Sequence, residues 1–136
     1  MSNKKHFQIS QQAVEKLAVR FGTPLLVLSL DEIKKNYKVL KKYMPRVKIH
    51  YAIKANPHPE ILRVMADMGS CFDVASDGEI RTLHDMGVDG SRLIYANPVK
   101  TGVGLEACRS CGVRKMTFDS ASEIDKIKKQ CPDATV

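Results

Sequence analysis

The stretch VKIHYAIKANP, residues 47–57, decides the fold. It alternates with the two-residue period of a half-buried strand: Val47, Ile49, Tyr51 and Ile53 share one face, and Lys48, His50, Ala52 and Lys54 share the other. A strand is therefore predicted over 47–53, closed by Ala55, Asn56 and Pro57, with Lys54 at its carboxyl end. Taken alone, a lysine there reads as a solvated residue that blunts a sheet edge. Any chemical role has to come from the surrounding chain.

Downstream the chain repeats one unit. The strand at 47–53 is followed by a helix at 58–68 that stops at Gly69, and CFDV at 71–74 by a helix at 77–86 that stops at Gly87. A strand at 92–95 precedes a helix at 101–111 ending at Gly112; KMTF at 115–118 precedes a helix at 120–130 ending before Pro132. A glycine just past the last turn is what a left-handed helix cap requires. Ser76 with Glu79, and Ser120 with Glu123, have the spacing of capping boxes. Upstream lie an amphipathic helix over about 9–21, a strand LLVLS at 25–29, and a helix opened by the box of Ser29 and Glu32 and closed before Pro45. Strand and helix alternating at this period imply parallel strands joined by right-handed crossovers, in an open doubly wound sheet or a (β/α) barrel. Gly102-Val103-Gly104 lacks the third glycine of a dinucleotide fingerprint. In both architectures the working residues gather at the carboxyl ends of the strands, which here collects Lys54, Asp73, Asn97 and Asp119 on one rim.

The chain has 136 residues, 43% hydrophobic and 27% charged, which suits one soluble globular domain. Its net charge of +7 is scattered over helical faces, as in Lys34, Lys35, Lys38, Lys41 and Lys42, without interleaved aromatics. A solvated face explains this better than nucleic acid, and no nucleic-acid partner is expected. The apolar run PLLVLSL at 24–30 is too short to cross a bilayer, and MSNKKHFQIS lacks the apolar core of a signal peptide. A cytoplasmic location with reduced cysteines and no membrane partner is expected. Cys108 and Cys111 form a lone C-x-x-C inside a helical pattern, read as thiols of the packing and not as a metal site; no metal is expected.

An amine held on the dry inner face of a barrel has its charged form penalised, and a nucleophilic neutral fraction appears near pH 7. Such a lysine can form a Schiff base with an aldehyde, of which pyridoxal phosphate is the common biological example. Ala52, two residues earlier, leaves room for a flat ring. Asp73 on the next strand could be the counter-ion, although periodicity alone favours a capping or structurally ion-paired residue.

YAIKANPHPEILRVMADMG at 51–69, FDVAS at 72–76, IYANPVK at 94–100 and MTFDS at 116–120 resemble the ornithine, lysine and diaminopimelate decarboxylases. These are pyridoxal-phosphate enzymes on an alanine-racemase-type barrel. The resemblance runs from about Gly22 to the end and lies nearest the ornithine/lysine branch. It implies an α/β fold that is the amino-terminal part of a (β/α)8 TIM-type barrel, incomplete in this chain. Residues 1–45 would lead into the barrel and 46–136 would form its first four βα units, with the carboxyl-terminal β domain absent. The strand at 25–29 resembles one that joins that β domain. The resemblance makes Lys54 the residue that carries pyridoxal 5'-phosphate and Asp73 the aspartate beside lysine and cofactor. It implies decarboxylation of ornithine or lysine to a diamine by a full-length homodimer with shared active sites. The alternatives are a non-catalytic homologue that binds a regulatory partner, a diaminopimelate decarboxylase, and a racemase or cofactor carrier on the same barrel. His50, read as an interior residue, and His58 and His84, on helical patterns, are not expected to substitute for the family's ring-stacking histidine.

ATV136 arrives where a fifth strand is due, and an eight-stranded barrel takes roughly 250 residues. The sequence is therefore expected to be the front of a longer protein. By itself the chain should be inactive and prone to associate through unpaired strand edges.

Overall fold

The computed structural model describes residues 7–136. Four parallel strands, β1 (His50–Ala52), β2 (Cys71–Val74), β3 (Leu93–Tyr95) and β4 (Lys115–Met116), lie side by side in chain order. They begin at residues 50, 71, 93 and 115, so the repeat is 21, 22 and 22 residues. Between and after them run the helices α3 (Pro59–Asp67), α4 (Asp77–Asp85), α5 (Gly102–Ser110) and α6 (Ala121–Gln130). Consecutive parallel neighbours joined by right-handed crossovers carry all their helices on one side of the sheet. Thr135 begins the next position: its amide donates to the Arg114 carbonyl at 2.7 Å, its carbonyl accepts from Met116 at 2.9 Å, and it bridges Lys115 in parallel.

The alternation within each strand sorts its residues by side. Phe72, Val74, Leu93, Tyr95 and Met116 are buried against the helices, where they meet Ile61, Leu62, Ile80, Leu83, Leu105 and Ile127. Cys71, Asp73, Ile94 and Lys115 point the other way and stay half-buried. The register Ala52–Asp73, Asp73–Ile94 and Ile94–Lys115 aligns one row across this second face. Gly69, Gly87 and Gly112, at φ of 79°, 80° and 73°, end α3, α4 and α5 in the left-handed region as expected.

Before the sheet come α1 (Gln11–Phe21) and α2 (Leu30–Tyr43), capped by Ser10 and Ser29. Residues 25–29 correct the sequence reading. They form no strand among the described residues, and Leu26 is 92% exposed. Apolar β-branched residues favour extended backbone, but a strand exists only where a neighbour takes its amides and carbonyls. The strand expected over 47–53 is also shorter at both ends: 47–49 lie outside it, and Ile53–Ala55 form a single 3-10 turn. Ile53 is buried in the core, and that anchor bends the chain away from the ladder.

Candidate active site

Lys54 sits in the middle of that 3-10 turn, immediately past the carboxyl end of β1. It is exposed, so the dry face expected for it is not supplied by the described residues. The segment after the turn is held by three hydrogen bonds. The Tyr51 hydroxyl donates to the Asn56 carbonyl at 3.1 Å, and the Asn56 side-chain oxygen accepts the His58 amide at 3.1 Å. His58 in turn caps α3, its Nδ1 accepting the Glu60 amide at 3.3 Å. Burial raises the Tyr51 phenol above its ordinary value, against the opposing pull of its bond to Asn56, so the hydroxyl stays protonated and donating.

Asp73 lies in β2 directly across from Ala52, one residue short of the Lys54 turn. Lysine and aspartate therefore come from neighbouring strands at one rim, as the sequence suggested. Neither side chain has a hydrogen-bond or ion-pair partner among the described residues. The segment after Asp73 is fixed by its backbone. The Ala75 amide donates to Glu79 at 2.6 Å, and the Ala75 carbonyl accepts from the Asn97 side chain at 3.4 Å. Asp119, the fourth rim residue of the sequence reading, is exposed in a bend after β4. His50 is half-buried on the sheet face with Nδ1 3.4 Å from the Phe72 carbonyl, and His84 is exposed on α4 beside Asp85.

Sequence reasoning missed the most heavily bonded group at this rim. Lys100 is 2% exposed, Glu123 is 4% exposed, and their charged atoms are 3.6 Å apart. The Lys100 ammonium donates to the carbonyls of Asn97 at 3.0 Å, Pro98 at 3.4 Å and Thr117, and lies 5.6 Å from the centre of the Tyr95 ring. Glu123 also accepts the Lys100 amide at 3.0 Å and the Lys126 ammonium at 2.6 Å. Burial lowers the Lys100 ammonium from its ordinary value, with the Glu123 charge opposing. Burial would raise Glu123, but the bonds from Lys126 and Lys100 and both their charges outweigh it and hold the carboxyl below its ordinary value. Ser120 caps α6 as expected, accepting the Glu123 amide at 3.3 Å. The Glu123 carboxylate, however, is committed to the lysines. The available signal was Lys100 itself, closing IYANPVK two residues after a proline. Gly104, set aside as a weak phosphate motif, has a packing reason: a β-carbon there would lie 2.5 Å from the Tyr95 hydroxyl.

Cys108 is buried and Cys111 half-buried, both as free thiols. Burial pushes the Cys108 thiol up to about 12, so it stays protonated.

Residues 30–136 match the family profile described as pyridoxal-dependent decarboxylase, pyridoxal binding domain. This chain belongs to the pyridoxal-dependent decarboxylases. It is 52% identical over 132 residues to a lysine/ornithine decarboxylase of Selenomonas ruminantium, covering 97% of this chain and 34% of that protein. A crystal structure of lysine decarboxylase from the same organism superposes with a TM-score of 0.89 over 94% of this chain and 35% of that one. A lysine/ornithine decarboxylase from Vibrio vulnificus, solved with putrescine, superposes at 0.85 with 32% identity, over 90% of this chain and 34% of that one. Antizyme inhibitor 2 of Xenopus laevis is 38% identical, over 76% of this chain and 23% of that protein. The parallel α/β sheet thus matches the barrel domain of these enzymes. The chain spans about a third of the length of the lysine/ornithine decarboxylase it matches.

Proposed function

We propose that the whole protein decarboxylates a basic amino acid, ornithine or lysine, to a diamine, and that Lys54 carries pyridoxal 5'-phosphate. The observation behind this is the pairing at one rim of a lysine beyond β1 with an aspartate across from Ala52, both without other partners among the described residues. That donor set fits an aldehyde-bearing cofactor: an amine to hold it covalently and a carboxylate to balance positive charge. Bound there, the cofactor supplies the electron sink that makes loss of carbon dioxide feasible. The chain's own groups do the rest. The Tyr51–Asn56–His58 bonds hold the turn so that the Lys54 amine meets its partner in one orientation. Asp73 offers a carboxylate on the neighbouring strand, its backbone held in the ladder opposite Ala52. Residues 46–136 are the first βα units of the barrel in this reading, and 1–45 lead into it; the first six residues lie outside the described ones.

A cytoplasmic homodimer with shared sites belongs to the same proposal. It is supported by the family resemblance, and no helix among the described residues is long and apolar enough to cross a membrane. The kinship with an antizyme inhibitor supports a second reading, a non-catalytic partner-binding homologue. One experiment separates them. The whole protein, loaded with pyridoxal phosphate, is reduced with borohydride and mapped by mass spectrometry, and carbon dioxide release from ornithine and lysine is measured. Label on Lys54 with turnover is the expected result. A label on another lysine refutes the role of Lys54, and a correctly labelled protein without turnover favours the second reading.

A further inference from the structure

Lys100 has a form of burial that a fold-stabilising ion pair does not require. Its ammonium donates to three carbonyls, and all three belong to the carboxyl ends of strands or the loops that follow them: Asn97 and Pro98 after β3, and Thr117 after β4. Its backbone amide holds Glu123 at the start of α6, and its own carbonyl accepts Lys126 of the same helix at 2.6 Å. From Asn97 the chain of bonds continues to the next strand. The Asn97 side-chain oxygen takes the Val99 amide at 3.3 Å and so closes its own loop, and its amide nitrogen reaches the Ala75 carbonyl at 3.4 Å. Ala75 is two residues past Asp73, and its amide is taken by Glu79. One connected belt therefore runs from α6 through Lys100 and Asn97 to the segment that carries Asp73. At the opposite end of the strands Arg92 makes a clasp of similar size, donating to the Ser70 carbonyl at 3.1 and 2.6 Å and to the Ala66 carbonyl at 2.8 Å. That clasp touches nothing at the Lys54 rim.

We infer that Lys100 is a positioning residue: through Asn97 it sets the backbone that aims Asp73 toward the Lys54 side of the rim. The cofactor part of this rests on the proposed function; the mechanical part does not. Three carbonyls drawn onto one buried cation leave the loop at 96–100 a single arrangement, since each carbonyl released in a buried site needs another donor. Fixing the loop fixes Asn97, the side chain of that loop that reaches the segment after Asp73.

The test uses the whole protein with three variants: Lys100→Met, Asn97→Ala and Arg92→Met. Amide hydrogen exchange of the peptide spanning 73–77 is measured without cofactor, and pyridoxal phosphate affinity is then titrated by fluorescence, with thermal unfolding recorded for each protein. Lys100→Met and Asn97→Ala should each speed exchange at 73–77 by about tenfold and weaken cofactor affinity by about tenfold, the range typical of groups that orient a binding residue. Arg92→Met should lower the unfolding temperature while leaving both readouts within about twofold. Asn97→Ala keeps the test open if Lys100→Met does not fold. Unchanged exchange at 73–77 in Asn97→Ala overturns the inference, as does an affinity loss in Arg92→Met that matches Lys100→Met. Faster exchange in a protein whose parent takes up no pyridoxal phosphate sustains the belt and removes the proposed function instead.

Discussion

Lys54 and Lys100 follow the first and third strands of the same repeat, yet the two regions treat their lysines in opposite ways. Around Lys54 the chain turns at once, Ile53 dives into the core, and the exposed lysine side chain has no hydrogen-bond or ion-pair partner among the described residues. Around Lys100 the connection at 96–101 is six residues long, like the one at 53–58, but the lysine is its fifth residue and not its second. It therefore folds back over the carbonyls that precede it. Three carbonyls, one carboxylate and an aromatic face then use up its bonding capacity. The lesson is about availability. A lysine early in the connection stays available, and one near its end becomes a rivet, because only the later one has loop carbonyls behind it to fold onto.

The widest separation between the two regions should come from stability. Lys100→Ala leaves Glu123 buried with one fewer partner and should cost about 3–5 kcal/mol, whereas Lys54→Ala should stay within about 0.5 kcal/mol. Denaturant unfolding of the whole protein measures both, and similar costs for the two would end the contrast.

The thiols extend the comparison to burial on its own. Cys108, at about 12, should react with iodoacetamide at pH 8 at least about a hundredfold more slowly than the half-buried Cys111, and become reactive only on unfolding. Mass-spectrometric mapping of a short alkylation gives the ratio, and equal labelling would mean that the α5 end opens readily.

The pH dependence of the buried region sharpens it further. Glu123 is held below its ordinary value of 4.5 when folded, so its contribution is complete above 4.5 and is lost as pH falls through the folded value. Lys100 is held below 10.5, so the unfolded chain binds more protons just under that value and stability rises with pH there. Glu123→Gln should flatten the acid limb of a stability–pH curve; an unchanged acid limb would assign acid sensitivity to other carboxylates.

The smallest effect concerns Thr117, whose carbonyl serves Lys100 while its hydroxyl is buried without a partner among the described residues. Thr117→Val removes a desolvated hydroxyl at nearly constant shape and should stabilise by about 1 kcal/mol. A loss of stability instead would reveal a partner for that hydroxyl in the rest of the protein.

Much of this was legible in the chain. Period-two alternation in CFDV gave β2 its bounds and the side on which Asp73 lies, because a pleated strand allows no other sorting. Glycines at 69, 87 and 112 marked three helix ends, since only a left-handed residue closes those caps cheaply. The sequence also brought Lys54 and Asp73 to one rim, because parallel units of equal length put every carboxyl end on the same side. Tertiary structure alone decided three things. LLVLS did not become a strand, because strand formation depends on a neighbour and not on propensity. Lys54 left the strand for a turn, because Ile53 found a place in the core. Glu123, spaced as half of a capping box, gave its carboxylate to Lys100 and Lys126, because a buried cation 23 residues away competes better than a local amide for a charged acceptor. Local pattern fixes which way a residue faces; which partner it meets is set by the elements that pack around it.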